Sequence, residues 1–535
     1  MEHDYIIIGA GSAGSILAAR LTENGKHSVL LLEAGPSDSK SLHIHYPAGF
    51  FFILDDKKVN WVYHTEGSEG TKGREILYPR GKVLGGSSSI NGLLQVRGMP
   101  EDYDDWEAAG NPGWGYKDVL PYFMRNETYL PGDPAYRGKH GPVIIEDYAN
   151  HHPLTHDFVR AGQQIGLPYN PDYNGPDPYG VGYFQQTKKG RLRYSTARAY
   201  LNPAKKRTNL RIETEALVTG LTFEGNRVSG IAYSKGGAQG GQTLNASAKR
   251  EVILCGGSVN SPQVLQLSGI GDPEHLKRIG VPVKVALPGV GRNLSDHYVA
   301  RVDRRVHGRI TVNEMAKGWR LGLEIGKYVL FGSGIMTYAA GNGVAFVRSR
   351  PDVKRCDIQI SFAPASYKAG RLGVLDDTPG ITCGAWQCRQ LSRGEVMAVS
   401  SDPRVPPTIQ PNYLSHPTDR EVCVAGLKIA RKILNAPVFE AYCGEEIHPG
   451  KDVQTDDEWL DYARRNGGTV YHPIGSCKMG NDPLAVVDPQ LRVHGVAGLR
   501  VVDASIMPAT TSGNTNAPTM MIAEKAADMI LAAAS

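Results

Sequence analysis

The feature that most constrains this chain lies at its start. Tyr5 to Ile8 is a short, continuously apolar and mostly β-branched run, as expected of a strand buried on both faces of a parallel sheet. Gly9-Ala10-Gly11-Ser12-Ala13-Gly14 follows directly, then helical spacing from Ser15 to Leu21, a second apolar strand from Val29 to Leu32, and Glu33. These parts make a complete βαβ unit of the kind that holds a dinucleotide. Gly9 permits the tight turn, Gly11 lets the backbone approach a pyrophosphate, and Gly14 allows close helix–strand packing. The helix start at Ser12 and Ala13 offers unpaired N–H groups and a partial positive charge to the phosphates. Glu33, followed by Ala34, can accept hydrogen bonds from ribose hydroxyls. The motif by itself leaves both FAD and NAD open.

Composition narrows the class. A length of 535 residues predicts about three or four domain-sized units. With 41% hydrophobic and 21% charged residues the chain matches globular usage, not disordered, fibrous or membrane-spanning usage. Net charge is +5 without a run of like charges, so no footprint for nucleic acid is present. Glycine, 63 of 535 or about 12%, exceeds the usual share of about 7% and fits backbone that approaches a ligand.

Seven scattered cysteines without a C-x-x-C pair suit neither a disulfide framework nor a zinc site and point to a reducing compartment. The first residues pass straight into a strand with no signal-peptide pattern, so a cytoplasmic location is expected. No window reaches the ~18 apolar residues of a membrane span. Trp319 to Phe331 is amphipathic and reads as a core-facing helix, with peripheral membrane contact as the alternative. The histidine clusters, His43 with His45 and His151-His152 with His156, do not make a metal site, since Pro153 interrupts the helix that would align His152 and His156. Absence of G-x-S-x-G and phosphate-loop motifs removes esterase and kinase readings.

From about Arg301 to Leu460 strand-like runs such as Asp357 to Phe362 and Ile381 to Gln387 lack the glycine loops of the first third. A further apolar stretch, Leu499 to Val502 with Asp503-Ala504, returns near the end. That texture predicts a nucleotide domain of discontinuous segments with a second domain inserted.

A second glycine-rich segment, Gly81-Lys82-Val83-Leu84-Gly85-Gly86-Ser87-Ser88-Ser89-Ile90-Asn91-Gly92, resembles the glucose–methanol–choline (GMC) family of flavin-dependent oxidoreductases. The resemblance recurs in Gly256 to Pro262 with Ser268 to Gly271, in Pro288 to Leu294 with Asp296-His297, in Tyr471-His472-Pro473 with Cys477 to Gly480, and in Val501 to Met507 with Asn514-Thr515-Asn516. Within the family the chain is most similar to bacterial choline dehydrogenase, sorbose dehydrogenase and hydroxymethylfurfural oxidase types.

The resemblance implies an α/β protein in which a doubly wound FAD-binding domain carries an inserted, mainly antiparallel-sheet substrate domain. Residues 1–155, 200–300 and 465–535 are assigned to the first, 156–199 and 301–464 to the second. Some members attach FAD through a histidine just before the asparagine matching Asn91. Ile90 stands there, so FAD is expected to be non-covalent. Gln95 replaces a usual aromatic or alanine.

The implied activity is oxidation of a primary, sugar or aromatic alcohol to the aldehyde, with dioxygen, a quinone or a dye as electron acceptor. The alternatives are relatives of hydroxynitrile-lyase or photodecarboxylase type. His472 takes the family's catalytic histidine position, and an imidazole suits the proton step because its pKa of about 6.5 lies near working pH. Asn514 matches the second catalytic position; an amide cannot take a proton, so it is assigned to the substrate oxygen. Gly85, Gly86, Ser87, Ser88, Asn91 and Gly92 are expected along the pyrophosphate and flavin edge, and Val218 at the adenine. Asp503 and Ala504 are placed at the phosphates or ribitol. Thr515 and Asn516 lead into a last helix, Thr519 to Leu531, whose N-terminus faces the flavin. Phe362, Trp386 and Tyr338 are the substrate-pocket candidates. No acidic cluster lies near these motifs, so the pocket is expected to be uncharged or weakly charged.

Overall fold

Runs of consecutive apolar residues need a sheet covered on both faces, and the first two strands find one. In the computed structural model, which describes residues 2–236, 241–369 and 373–534, Val29–Leu32 lies between Glu2–Ile8 and Leu210–Glu213 and parallel to both. Glu2–Ile8 pairs on its other side, also parallel, with Gln242–Leu254. That long strand takes Leu499–Val501 as a parallel partner near its end and, earlier, begins an antiparallel extension through Arg227–Lys235 and Ala216–Glu224. This first seven-stranded sheet therefore recruits its strands from both ends of the chain.

A second seven-stranded sheet is antiparallel throughout, in the order Cys443–His448, Tyr298–Val306, Gly380–Gln387, Ile358–Ala363, Gly343–Val347 and Gly180–Tyr183, with Gly468–Thr469 beside Tyr298–Val306. Because side chains alternate between faces, Ala300, Val302, Ile360, Phe362, Cys383 and Ala385 enter a core shared with helices Pro153–Gln164 and Pro417–Leu434. Val299, Arg301, Ser361, Ala363, Thr382, Gly384 and Trp386 face a cavity instead. The fold is the expected α/β arrangement of a doubly wound nucleotide-binding part and an antiparallel substrate sheet.

Three local expectations need correction. The helix Gly318–Phe331 does not face the core: Glu324 is its single buried residue, whereas Trp319 is 72% and Phe331 77% exposed. Its inward position is held by the Glu324 carboxylate, which accepts from the Ile335 N–H at 3.0 Å and from Lys327 at 2.6 Å. Pro153 opens a helix instead of interrupting one; His152 sits outside as its N-cap, its Nδ1 accepting from the Leu154 N–H. The last helix spans Asn516–Ala534, with Pro518 inside its first turn.

Helix Ser12–Leu21 packs along that last helix, and both begin at the cavity, with Ser12 Oγ donating to Asn516 Oδ1 at 2.7 Å. Their packing is fixed by fully buried Glu524, which accepts from Arg20, from Arg125 and from the Tyr200 hydroxyl. Glu524→Ala should take from Arg20 and Arg125 their shared buried acceptor, leaving them only the exposed carboxylates of Glu23 and Asp528. The cost should be about 3 kcal/mol, the lower end for a broken buried pair, because Arg20 and Arg125 keep 22% and 36% exposure. Urea unfolding should show this as a lower midpoint, with weaker FAD retention in the folded variant.

Candidate active site

One cavity runs between the two sheets, from Glu33 at one end to the face of the antiparallel sheet. Gly9, Gly11, Ser12, Ala13, Glu33 and Ala34 line it from the first glycine loop and the strand after it, and Gly86, Ser87, Asn91 and Gly92 from the second. The two loops touch: a Cβ on Gly86, whose φ is +51°, would lie 2.6 Å from the Gly11 Cα. At Gly11 an added Cβ would meet no protein atom closer than 3.9 Å, so the space above it is free for a ligand. The first N–H groups of the helix have no intrahelical acceptor. A dinucleotide pyrophosphate fits there, and FAD suits the length of the cavity beyond it.

Glu33 is buried, and its oxygens accept from the N–H groups of Ala10 at 3.0 Å and Gly35 at 2.9 Å. Burial outweighs those bonds and pushes its pKa up to about 7. Further lone pairs remain for ribose hydroxyls. Val218, Ala504, Thr515 and Asn516 line the same cavity. Asp503 lines it too, but its carboxylate is committed to the protein, accepting from Gly257 N–H, Ser261 Oγ and Ser505 N–H.

His472 and Asn514 are brought together: Asn514 Nδ2 lies 3.0 Å from His472 Nε2. On the other side His472 Nδ1 is 3.1 Å from Nδ1 of His297, whose Nε2 is 2.7 Å from the carbonyl of Cys388. A carbonyl only accepts, so His297 carries its proton on Nε2 and presents a bare Nδ1. His472 must then donate from Nδ1, which leaves the Nε2 lone pair to accept from Asn514. The relay assigns the tautomer of His472 and the orientation of the Asn514 amide together. Burial, and then the positive charges His297 and Arg80 can bring near it, hold the His472 pKa well below the ordinary 6.5, so the ring is neutral. Asp296 anchors both histidines by accepting their backbone N–H groups, at 2.9 Å from His297 and 2.7 Å from His472. Asn514 Oδ1 has no partner among the described residues.

Several expected residues lie elsewhere. Phe362 faces the opposite side of its strand and stacks on Phe158 at 4.7 Å; its neighbours Ser361 and Ala363 face the cavity. Tyr338 packs edge-on against Tyr148 at 5.9 Å, in a separate core cluster. Trp386 does line the cavity. Ser88 turns inward and bonds Thr196, and Gly85 serves the loop by donating its N–H to Ala10. Gly14 is a packing residue, since a Cβ there would sit 1.9 Å from the Gly9 carbonyl oxygen. The sequence reading assigned no role to His297, Arg80, Arg301, Trp61 or Tyr471, of which the last four line the cavity. His297 stood inside a recognised motif, but no spacing tied it to His472.

Family models described as GMC oxidoreductase match residues 3–299 and 390–523. Among curated relatives, the mitochondrial choline dehydrogenase of Homo sapiens is 44% identical across 99% of this chain and 90% of its own. The oxygen-dependent choline dehydrogenase of Chromohalobacter salexigens is 43% identical across 99% and 95%. Among solved structures, pyridoxine 4-oxidase from Mesorbium loti superposes with a TM-score of 0.88 at 31% identity over 98% of both chains. An FAD-dependent oxidoreductase from Chaetomium thermophilum superposes with a TM-score of 0.91 at 26% identity over 99% of both. With its glycine loops, its neutral histidine and these matches in agreement, the chain belongs to the GMC oxidoreductase family and is an FAD-dependent enzyme that oxidises alcohols.

Proposed function

We propose that His472 Nε2 is the base that takes the hydroxyl proton of the alcohol and that Asn514 Nδ2 donates to the same oxygen. The observation that carries this is the histidine relay: it leaves the one lone pair of a neutral imidazole beside an amide donor at the cavity wall. The alcohol loses that proton and, from the adjacent carbon, a hydride, which leaves a carbonyl. When bound, FAD supplies the acceptor for the hydride. As the O–H bond breaks, charge builds on the oxygen, and the Asn514 N–H shares it with the imidazolium forming at His472. His297 keeps the His472 Nδ1–H in place, so the ring accepts only at Nε2. Segments 1–155, 200–300 and 465–535 would hold the cofactor, and 156–199 and 301–464 would cover the alcohol.

Anaerobic stopped-flow reduction tests the reading. Alcohols should bleach the oxidised flavin, whereas a lyase leaves its absorbance unchanged. His472→Ala should slow reduction by about 10² to 10⁴ with FAD still bound. Asn514→Ala should slow it by roughly 2.7–4 kcal/mol in barrier terms. Reduction at the wild-type rate by His472→Ala would remove His472 as base.

The pH dependence follows from the depressed His472 pKa. The rate should stay flat from above pH 6.5 and fall only on an acid limb below it. Folding stability should lose ground over the same range. Below about pH 6.5 the unfolded chain takes up the proton that buried His472 resists. Because Ile90, and no histidine, lines the cavity beside Asn91, acid precipitation should release the flavin quantitatively into the supernatant.

A further inference from the structure

The substrate wall of the cavity carries Arg80 and Arg301, where an uncharged or weakly charged pocket was expected. Arg301 follows Val299 on the cavity face of its strand and lies opposite Gly384. A Cβ on Gly384 would sit 3.6 Å from the Arg301 Cγ, so the glycine leaves the arginine stem its room. The guanidinium lies over the Tyr367 ring at 5.5 Å and, among the described residues, has neither a hydrogen-bond acceptor nor an ion-pair partner.

The acid two positions on, buried Asp303, is already engaged by Thr382 and by His448 at 3.1 Å. Arg80, the second cation on the cavity, donates to the Tyr471 carbonyl at 2.8 Å and, among the described residues, makes no ion pair, although the Asp296 carboxylate acts on it from beyond contact distance. Among the described residues, Glu33 and Asp503 are the acids that line the cavity, and both belong to its nucleotide half. The buried indole N–H of Trp386, a donor only, has no acceptor among the described residues.

A half-buried cation without a counter-charge beside an unused donor is a wall short of one anion. A quaternary ammonium group would instead meet two like charges across low-dielectric space. Resting on the assignment of His472 and Asn514 to the alcohol oxygen, we propose that the substrate alcohol carries an anionic group, a carboxylate or a sulfonate, received by Arg301. The enzyme therefore disfavours choline, although several relatives carry that name.

The test uses FAD-loaded enzyme and two kinds of probe. Propionate, ethanesulfonate and ethyltrimethylammonium have no hydroxyl and report binding through the flavin absorbance spectrum whether or not turnover occurs. Glycolate, 2-hydroxyethanesulfonate, 1-propanol and choline report kcat/KM. At least one anionic probe should bind while ethyltrimethylammonium does not. Arg301→Met should weaken anion binding and reduce the anionic-over-neutral kcat/KM ratio by about 10- to 100-fold, mainly through KM. Arg301→Lys, checked for equal FAD content, should recover part of the loss.

Preference for choline or 1-propanol in the wild type would overturn the proposal. So would an unchanged substrate ratio in Arg301→Met, which would assign the guanidinium to the flavin. Arg301-dependent anion binding without bleaching by any alcohol would uphold the anion site and sink the alcohol-oxidation reading. Bleaching by alcohols without an anion effect would do the reverse.

Discussion

Glu524 accepts from two arginines and a tyrosine while buried away from water, and these contacts fix how the first and last helices lie against each other. The consequence reaches the cavity because both helices start there. Their opening turns present the positive ends of two peptide dipoles to one ligand, and the Ser12–Asn516 bond keeps those ends in register. The glycine loops can approach as closely as they do only on a frame that does not slide. Gly86 against Gly11 has no tolerance for even one methyl group.

Apart from Glu33 and Asp503 in the nucleotide half, the charges that face the cavity are positive. Helix starts lie at the pyrophosphate end, and Arg80 and Arg301 at the other. In such a field a histidine is poorly disposed to hold a proton at rest, which is the state a base needs. The field also favours the transient negative charge on an alcohol oxygen. The His297 relay adds direction to this: its proton positions follow from one carbonyl at Cys388, remote from the reacting atoms.

The nucleotide half was legible in the sequence because its signals are local. A strand, three glycines, a helix and an acid fall within one short stretch, and each has a separate steric or electrostatic reason. His472 and Asn514 were legible only through matching motifs, since their meeting depends on chain folding over 42 positions. The substrate wall was read poorly for a definite reason. Strand faces alternate, so choosing the bulky Phe362 over its small neighbours Ser361 and Ala363 selected the wrong face. Arg301 carried no signal of its own, since it stands on a strand with Arg304 and Arg305. The helix Gly318–Phe331 misled by composition: its apolar residues point outward, and the one side chain it buries is the Glu324 carboxylate, which accepts from the Ile335 N–H.

The first sheet takes its last strand from Leu499–Val501, and the cavity wall is completed by residues just beyond it. A ribosome moving at about 5–20 residues per second makes the stretch from the glycine loop to Leu499 in roughly 25 to 100 seconds. During that interval the phosphate-binding loop lacks the wall beyond Leu499–Val501, and the end of the strand Gln242–Leu254 lacks its last neighbour. A cavity with both walls exists only once the helix Asn516–Ala534 has been made.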